Sequence, residues 1–336
     1  MISYLDIAIP PRSEHLWRYT GWKRIHPTKV DEVPIVDELS FSEGTDFQSE
    51  GSTEIARSFI HSVSKKSVQL DLSDQIIDLN IRASGHMCAG ELTINSTGNS
   101  TLVIRLSGEP GWAGLRITGT VEGQLSVVLV NDLAKDAHLL RCEDWKVNRD
   151  SKLAFSTLSS GGFLIKSDIR VNLSESGSSC AGAIASHGHE SRHDDHHVEI
   201  IHNAGHTDST LVIHSACGDA SHSISTGLLT IVKGADGSDA GQVFRNLLLS
   251  PKARAESIPE LEVLADDVKA AHGAASAAIS PEQIHYLCSR GLSPAQADSL
   301  IVEGFLMDAF RNVKNNEVIN VIRTRLLVHL ECLVNG

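Results

Sequence analysis

Nine of the seventeen histidines in this 336-residue chain fall between His187 and His222, at positions 187, 189, 193, 196, 197, 202, 206, 214 and 222. Imidazole is a common transition-metal ligand, so this run is the first place to look for chemistry. Its first half, Ser186 to His197, reads as a polar surface loop whose histidines need no metal to explain them. Asp194 and Asp195 can orient neighbouring imidazoles, although a solvated acidic loop needs no such purpose. His197, His202 and His206 frame the strand-like run Val198-Glu-Ile-Ile201 and are the better metal candidates. Asp236-Gly-Ser-Asp239-Ala-Gly241 carries part of a calcium-loop pattern but lacks the downstream bidentate glutamate, which leaves a turn.

Other chemistries are missing their residues. The six cysteines lie at least 37 residues apart, so no Cys-x-x-Cys pair exists to hold zinc or exchange disulfides. A disulfide framework is not expected in so long a chain with so few thiols. There is no G-x-x-x-x-G-K-[ST] phosphate loop, no G-x-S-x-G elbow, no G-x-G-x-x-G after a strand and no H-E-x-x-H helix. Nucleotide hydrolysis tied to this protein would belong to another chain. A net charge of −13 argues against a phosphate-binding surface and against nucleic acid as a partner. No leader pattern and no apolar run of bilayer length occur, so a cytoplasmic protein is expected.

The elements that position these residues follow from periodicity. After a mixed region with Trp17-Arg18-Tyr19-Thr20 and a polar stretch from Ser40 to Glu54, strict alternation begins at Val68-Gln-Leu-Asp-Leu72. It recurs at Ile77 to Ile81, Leu102 to Leu106 and Ile169 to Leu173, with turn clusters between. Period two with short spacing means strands with one buried face. A sandwich, a barrel and a solenoid share this pattern; some two hundred residues of short strands with only 4% aromatics lean toward the solenoid. After Ser280 the period turns helical. Ser280-Pro-Glu-Gln283 and Ser293-Pro-Ala-Gln296 are helix starts, and Gly291 ends the first helix. The second helix aligns Ala297, Leu300, Ile301, Gly304, Phe305 and Ala309; a third, opening at Asn315 or Asn316, aligns Val318, Ile322, Leu326, Leu330 and Leu333. Three such helices cannot bury their apolar faces alone and must pack on the β core, on a partner, or on both. The expected division is an arm and linker over 1–62, a β core over 63–277 and a helical segment over 278–336.

Ile258-Pro-Glu-Leu-Glu-Val-Leu-Ala-Asp-Asp-Val-Lys-Ala-Ala-His-Gly-Ala274, then Tyr286-Leu-Cys-Ser-Arg-Gly291, then Ala297 to Gly304-Phe305 form an ordered, multi-part pattern. It resembles the C-terminal half of the SufB/SufD family of the SUF iron–sulfur cluster assembly system. Asn246-Leu-Leu-Leu-Ser250 and Trp17-Arg18-Tyr19-Thr20 are similar to further family elements. The resemblance implies a right-handed parallel β-helix core flanked by helical ends, and a SufD-type scaffold subunit rather than an enzyme. It implies pairing with a SufB-type subunit, or with a second copy of itself when alone. It further implies a SufC-type ATPase held on the C-terminal helices, with Tyr286, Arg290, Gly291, Leu300, Gly304 and Phe305 as the partner-binding residues.

SufB-type subunits carry a Cys near Phe244 and a Glu at Gly273, neither present here; the Cys that often precedes the motif histidine by two positions is Ala270. What remains is His272. On pattern alone it is a structural histidine at a strand end; the motif implies a ligand for a transient iron–sulfur cluster shared with the paired subunit, since one imidazole cannot hold a cluster by itself. The chain is short for a SufD-type subunit, chiefly in its N-terminal region. Two alternatives from other classes are a β-helix enzyme acting on polysaccharide, which needs stacked acidic and aromatic residues, and a metal-binding protein built on the histidine run.

Overall fold

A computed structural model describes residues 4–335. From Ser67 the chain winds a parallel β-helix of about eight turns, and strands make up 49% of the structure. Each turn lays one strand on a front wall and one on a back wall. The front wall stacks His138–Val147, Leu164–Leu173, His193–His202, His222–Ile231 and Arg254–Val263 in unbroken parallel register. The back wall stacks Lys152–Ser159, Ser179–Gly188, Asp208–Cys217, Asp239–Leu248 and Lys269–Ala278 in the same way. Earlier, Met87–Gly108 and Trp112–Leu133 each bend across both walls, and Gly98 and Gly123, both at positive φ, make the corner where any Cβ would strike backbone or Asp74.

Alternation builds the core. In Ser67–Ser73, Val68, Leu70 and Leu72 are buried while Asp71 is exposed. Inward residues of both walls, from Leu79 and Ile104 to Ile169, Val198, Leu211 and Phe244, form one continuous apolar column. The stacked solenoid, not the sandwich or barrel, is therefore the architecture. Ser40 to Glu54, expected as a linker, contributes Ser40–Phe41 and Thr45–Asp46, which pair antiparallel to early strands.

Two helical layers cover the walls from outside. The N-terminal arm carries α1 (Trp22–Ile25) and α2 (Ile55–Val63); Trp17, Trp22, Ile25, Phe59 and Ile60 pack on the outward faces of Trp112, Leu140, Cys142 and Leu164. The C-terminal segment forms α3 (Pro281–Ser289), α4 (Pro294–Asp308) and α5 (Asn316–Asn335). Ser280 accepts a bond from the Gln283 N–H, and Ser293 with Gln296 closes a full capping box, as the two Ser-Pro starts foretell. α4, α5 and the connection between them bury Val302, Leu306, Phe310, Val318, Ile322, Leu326 and Leu330 against Val103, Val128, Val130, Leu158, Ala183 and Ala185 of the back wall. Among the described residues, no helix is long and apolar enough to cross a membrane.

Candidate functional site: the open end of the β-helix and its C-terminal helices

The last turn has no successor. Lys269–Ala278 pairs only with Asp239–Leu248, and all its residues but one are exposed. The Lys269 and Ile279 N–H groups donate back to Ser238 and Leu248, so the alternate amides, those of residues 270, 272, 274, 276 and 278, face outward along an unpaired edge. His272 sits on this strand, exposed, in register with Gln242, Leu211 and Phe155. Leu211 and Phe155 belong to the interior, so His272 is the final inward-facing position of the tube, at its mouth.

The floor beneath it is polar. Gln242 is almost fully buried and donates to the Glu260 carbonyl at 2.7 Å, while its Oε1 has no partner. Asn246 Nδ2 donates to Ser257 Oγ and Ser276 Oγ, both at 2.9 Å, tying the two walls together at the mouth. Deeper in the tube lie further inward polar groups: His196 with Ser167 at 2.8 Å, Ser186 with Ser215 at 3.0 Å, and Arg141 with Glu143. Sequence reasoning missed this polar lining, although counting alternation through His193–His202 would have placed Asp194 and His196 inward.

The stretch from Ser186 to His197, expected as one surface loop, is a turn only at 189–192; the rest lies in strands. His187 ends one back-wall strand, His193 to His202 form a front-wall strand, and every residue of the latter is buried or half-buried. Asp194 pairs with Arg192 at 2.6 Å and lies 3.6 Å from His196. The three metal candidates do not converge. His197 bonds Thr226 at 2.7 Å and Glu199 at 3.0 Å on the outer face. His202 is wholly buried between Thr207 and Ser209, each at 2.7 Å, and burial pushes its pKa down to about 4. His206 is exposed in a turn at φ 56°. Among the described residues, no group of three His, Cys, Asp or Glu side chains is placed to hold a metal. Asp236 to Ser238 form a turn, with Gly237 at positive φ, and Asp239 to Gly241 open the next strand.

The C-terminal helices present a second surface. Tyr286 is 56% exposed and its ring lies 5.3 Å under the Arg290 guanidinium; Gly291, at φ 98°, ends α3. Leu300 is 49% exposed and borders a groove of about 390 Å³ with Leu292, Glu303, Leu327 and Leu330. The face expected for α4 is thus corrected: Leu300 points outward, and Val302 and Leu306 take the buried positions. Gly304 is open, with nothing within 4 Å of a Cβ placed there. Phe305 turns inward and stacks on His214 at 4.8 Å, and His214 Nδ1 bonds the Phe305 carbonyl at 2.8 Å. Of the six partner candidates, Phe305 therefore serves to seat the helix on the wall.

Comparison with known proteins assigns this architecture. Residues 113–305 match the family model described as the SufBD core domain of SUF system FeS cluster assembly, more than half of the chain. The chain belongs to the SufB/SufD family. It is of the SufD type: it is 37% identical over 109 residues to the iron–sulfur cluster assembly protein SufD of Bacillus subtilis, covering 32% of this chain and 25% of that protein. It is 34% identical over 116 residues to Escherichia coli SufD, covering 34% of this chain and 27% of that one. An iron–sulfur cluster assembly SufBD family protein of Mycobacterium leprae is 27% identical over 256 residues, covering 74% of this chain and 64% of that protein. The chain thus spans between a quarter and two thirds of these relatives.

Phe244 and Gly273, the two positions singled out beside His272, differ in their surroundings. Phe244, with no exposed surface, plugs the apolar column one inward position from Gln242. Gly273 faces outward, with nothing within 4 Å of a Cβ, so the position has room for a side chain and lacks one. Elsewhere in the β-helix, Cys142 and Cys217 are buried, and burial pushes both thiols up to about 12.

Proposed function

We propose that this protein is a non-catalytic scaffold subunit of a SUF-type machine that assembles iron–sulfur clusters. In this reading the open last turn pairs with a SufB-type subunit, and α3 to α5 hold a SufC-type ATPase. The nascent cluster is cargo shared across the pairing surface, with His272 contributing one nitrogen and the partner contributing the thiolates. The observation that carries the reading is the unpaired edge of Lys269–Ala278, which leaves a row of amides and carbonyls and the His272 ring facing whatever docks there. Exposed Tyr286 and the groove beside Leu300 support the ATPase half. The missing phosphate loop agrees with hydrolysis on another chain.

Co-expression with SufB-type and SufC-type subunits tests this. The three chains should co-purify, and Ala274→Pro, which removes an edge amide that bonds nothing within the chain, should abolish pairing while leaving circular dichroism unchanged. His272→Ala should leave pairing intact and lower cluster yield. Retention of full cluster yield in His272→Ala removes the histidine from the site; failure of the wild type to capture either subunit defeats the scaffold reading. A dimer of this chain alone that dissociates in Ala274→Pro would show the same edge serving a second copy.

A further inference from the structure

The in-register front wall builds a ladder that composition hides. Leu164, His193, His222 and Arg254 occupy one column, successive turns apart, on the outward face. With about 4.8 Å between rungs, His193 and Arg254 stand roughly 10 Å apart with His222 between them. Over this column leans Arg24 from α1, its Nη1 3.4 Å from both ring nitrogens of His193. The turn before the last front-wall strand adds Lys252, and Ser250 anchors that turn by bonding the Asp219 carbonyl. Together Arg24, Ser191, His193, His222, Lys252 and Arg254 line a concavity of about 620 Å³.

Cations outnumber carboxylates in this cleft. Among the described residues, Arg24, Lys252 and Arg254 form no ion pair with a carboxylate. Two acids lie nearby: Asp195, paired with Lys166 at 3.0 Å, also acts on Arg24, and Glu256 bonds His222 at 2.8 Å. Arg12 lies near enough to act on Arg24 as a further positive charge. His193 is 4% exposed and is fixed by Thr20 Oγ1 at 2.9 Å, so the floor under Arg24 is rigid. Three cations from residues 24 and 252–254 meet on one concave face in a chain of net charge −13, and an anion among them would relieve their mutual repulsion.

We propose that this cleft is a binding site for a small phosphate-bearing anion. The phosphate lies over His222, gripped by the Arg24 and Arg254 guanidiniums, whose planar forks match phosphate oxygens, with the Lys252 ammonium as a third charge. The cavity exceeds what a phosphate alone fills and lies within the range of metabolite sites, so it admits phosphate esters as well as the free ion. The site lies on the outer face of the front wall, apart from the back-wall strand that carries His272.

Isothermal titration of the full chain with inorganic phosphate, pyrophosphate and ribose 5-phosphate, at low and high salt, tests the proposal. At least one probe should bind saturably, more weakly at high salt. The double variant Arg24→Gln with Arg254→Gln should lose more than ten-fold in affinity, about 1.4 kcal/mol. Arg82→Gln, an exposed arginine without an ion pair, should bind like the wild type. A tighter complex with the ester identifies an organic phosphate, and equal affinities identify the free ion. All the substituted arginines are exposed, and an unchanged thermal midpoint confirms that each variant is folded. Absence of saturable binding by all three probes, or undiminished affinity in the double variant, overturns the site.

Discussion

Arg57 shows how much the arm depends on single buried charges. Its side chain is 3% exposed and lies 2.5 Å from Asp168 and 2.8 Å from Asp144. Burial alone would discharge both partners, yet Asp168 holds Arg57 above its usual range, and Arg57 with Arg170 holds Asp168 well below the usual carboxylate range. Removing one member leaves the other buried and unpaired. Arg57→Ala should therefore cost about 3–5 kcal/mol in urea unfolding, whereas Arg57→Met with Asp168→Leu should recover most of it. If both variants are equally destabilised, packing rather than charge ties α2 to the wall. Sequence made the histidines visible but not their surroundings: a run of His and Asp looks the same whether solvated or stacked on rungs. The decisive information is register, which joins residues 29 apart, such as His193 and His222, and no local pattern encodes it.

At the scale of elements, α5 and α3 should respond oppositely to truncation. Leu326 has no exposed surface and lies between the back wall and α4, so Leu326→Ala should cost about 2–5 kcal/mol. Tyr286, on a helix that buries none of its residues, should tolerate Ala within about 0.5 kcal/mol. Capture of the SufC-type ATPase should follow the reverse order, falling with Tyr286→Ala at unchanged stability. An undiminished capture would move the docking surface off α3. Helix starts were legible because Ser-Pro-x-Gln is a local device whose bonds close within one turn. The buried face of α4 was not, because apolar residues surround that helix and its neighbours, the wall and α5, choose among them. The same limit hid the exposure of Leu300, which fits an apolar stripe by spacing yet lines a groove.

The whole molecule stores a set of neutral imidazoles, and acid should find them. Burial lowers His202 and His193 to about 4, His187 to about 3 and His329 to about 2, with Arg24 adding to the shift at His193 and neighbouring histidines at the other two. In the unfolded chain each returns to about 6.5. Because the folded values are depressed, the unfolded state binds more protons below that pH, so stability is flat above about 6.5 and falls as pH drops toward 4. Asp168 and Asp194 do not blur this window: burial opposes their charge, but Arg57 with Arg170, and Arg192 with His196, keep both ionised well below it. Each such histidine should remove about 1 kcal/mol between pH 7.5 and 5.5. The molecule should thus lose several kcal/mol, and His202→Gln should shrink that loss by one histidine's share. His187 and His329 meet at 3.0 Å across the junction of α5 with the back wall, so the C-terminal helices should loosen first. Hydrogen exchange at pH 5.5 that opened the β-helix before α5 would contradict this order and locate the acid-sensitive joint inside the tube.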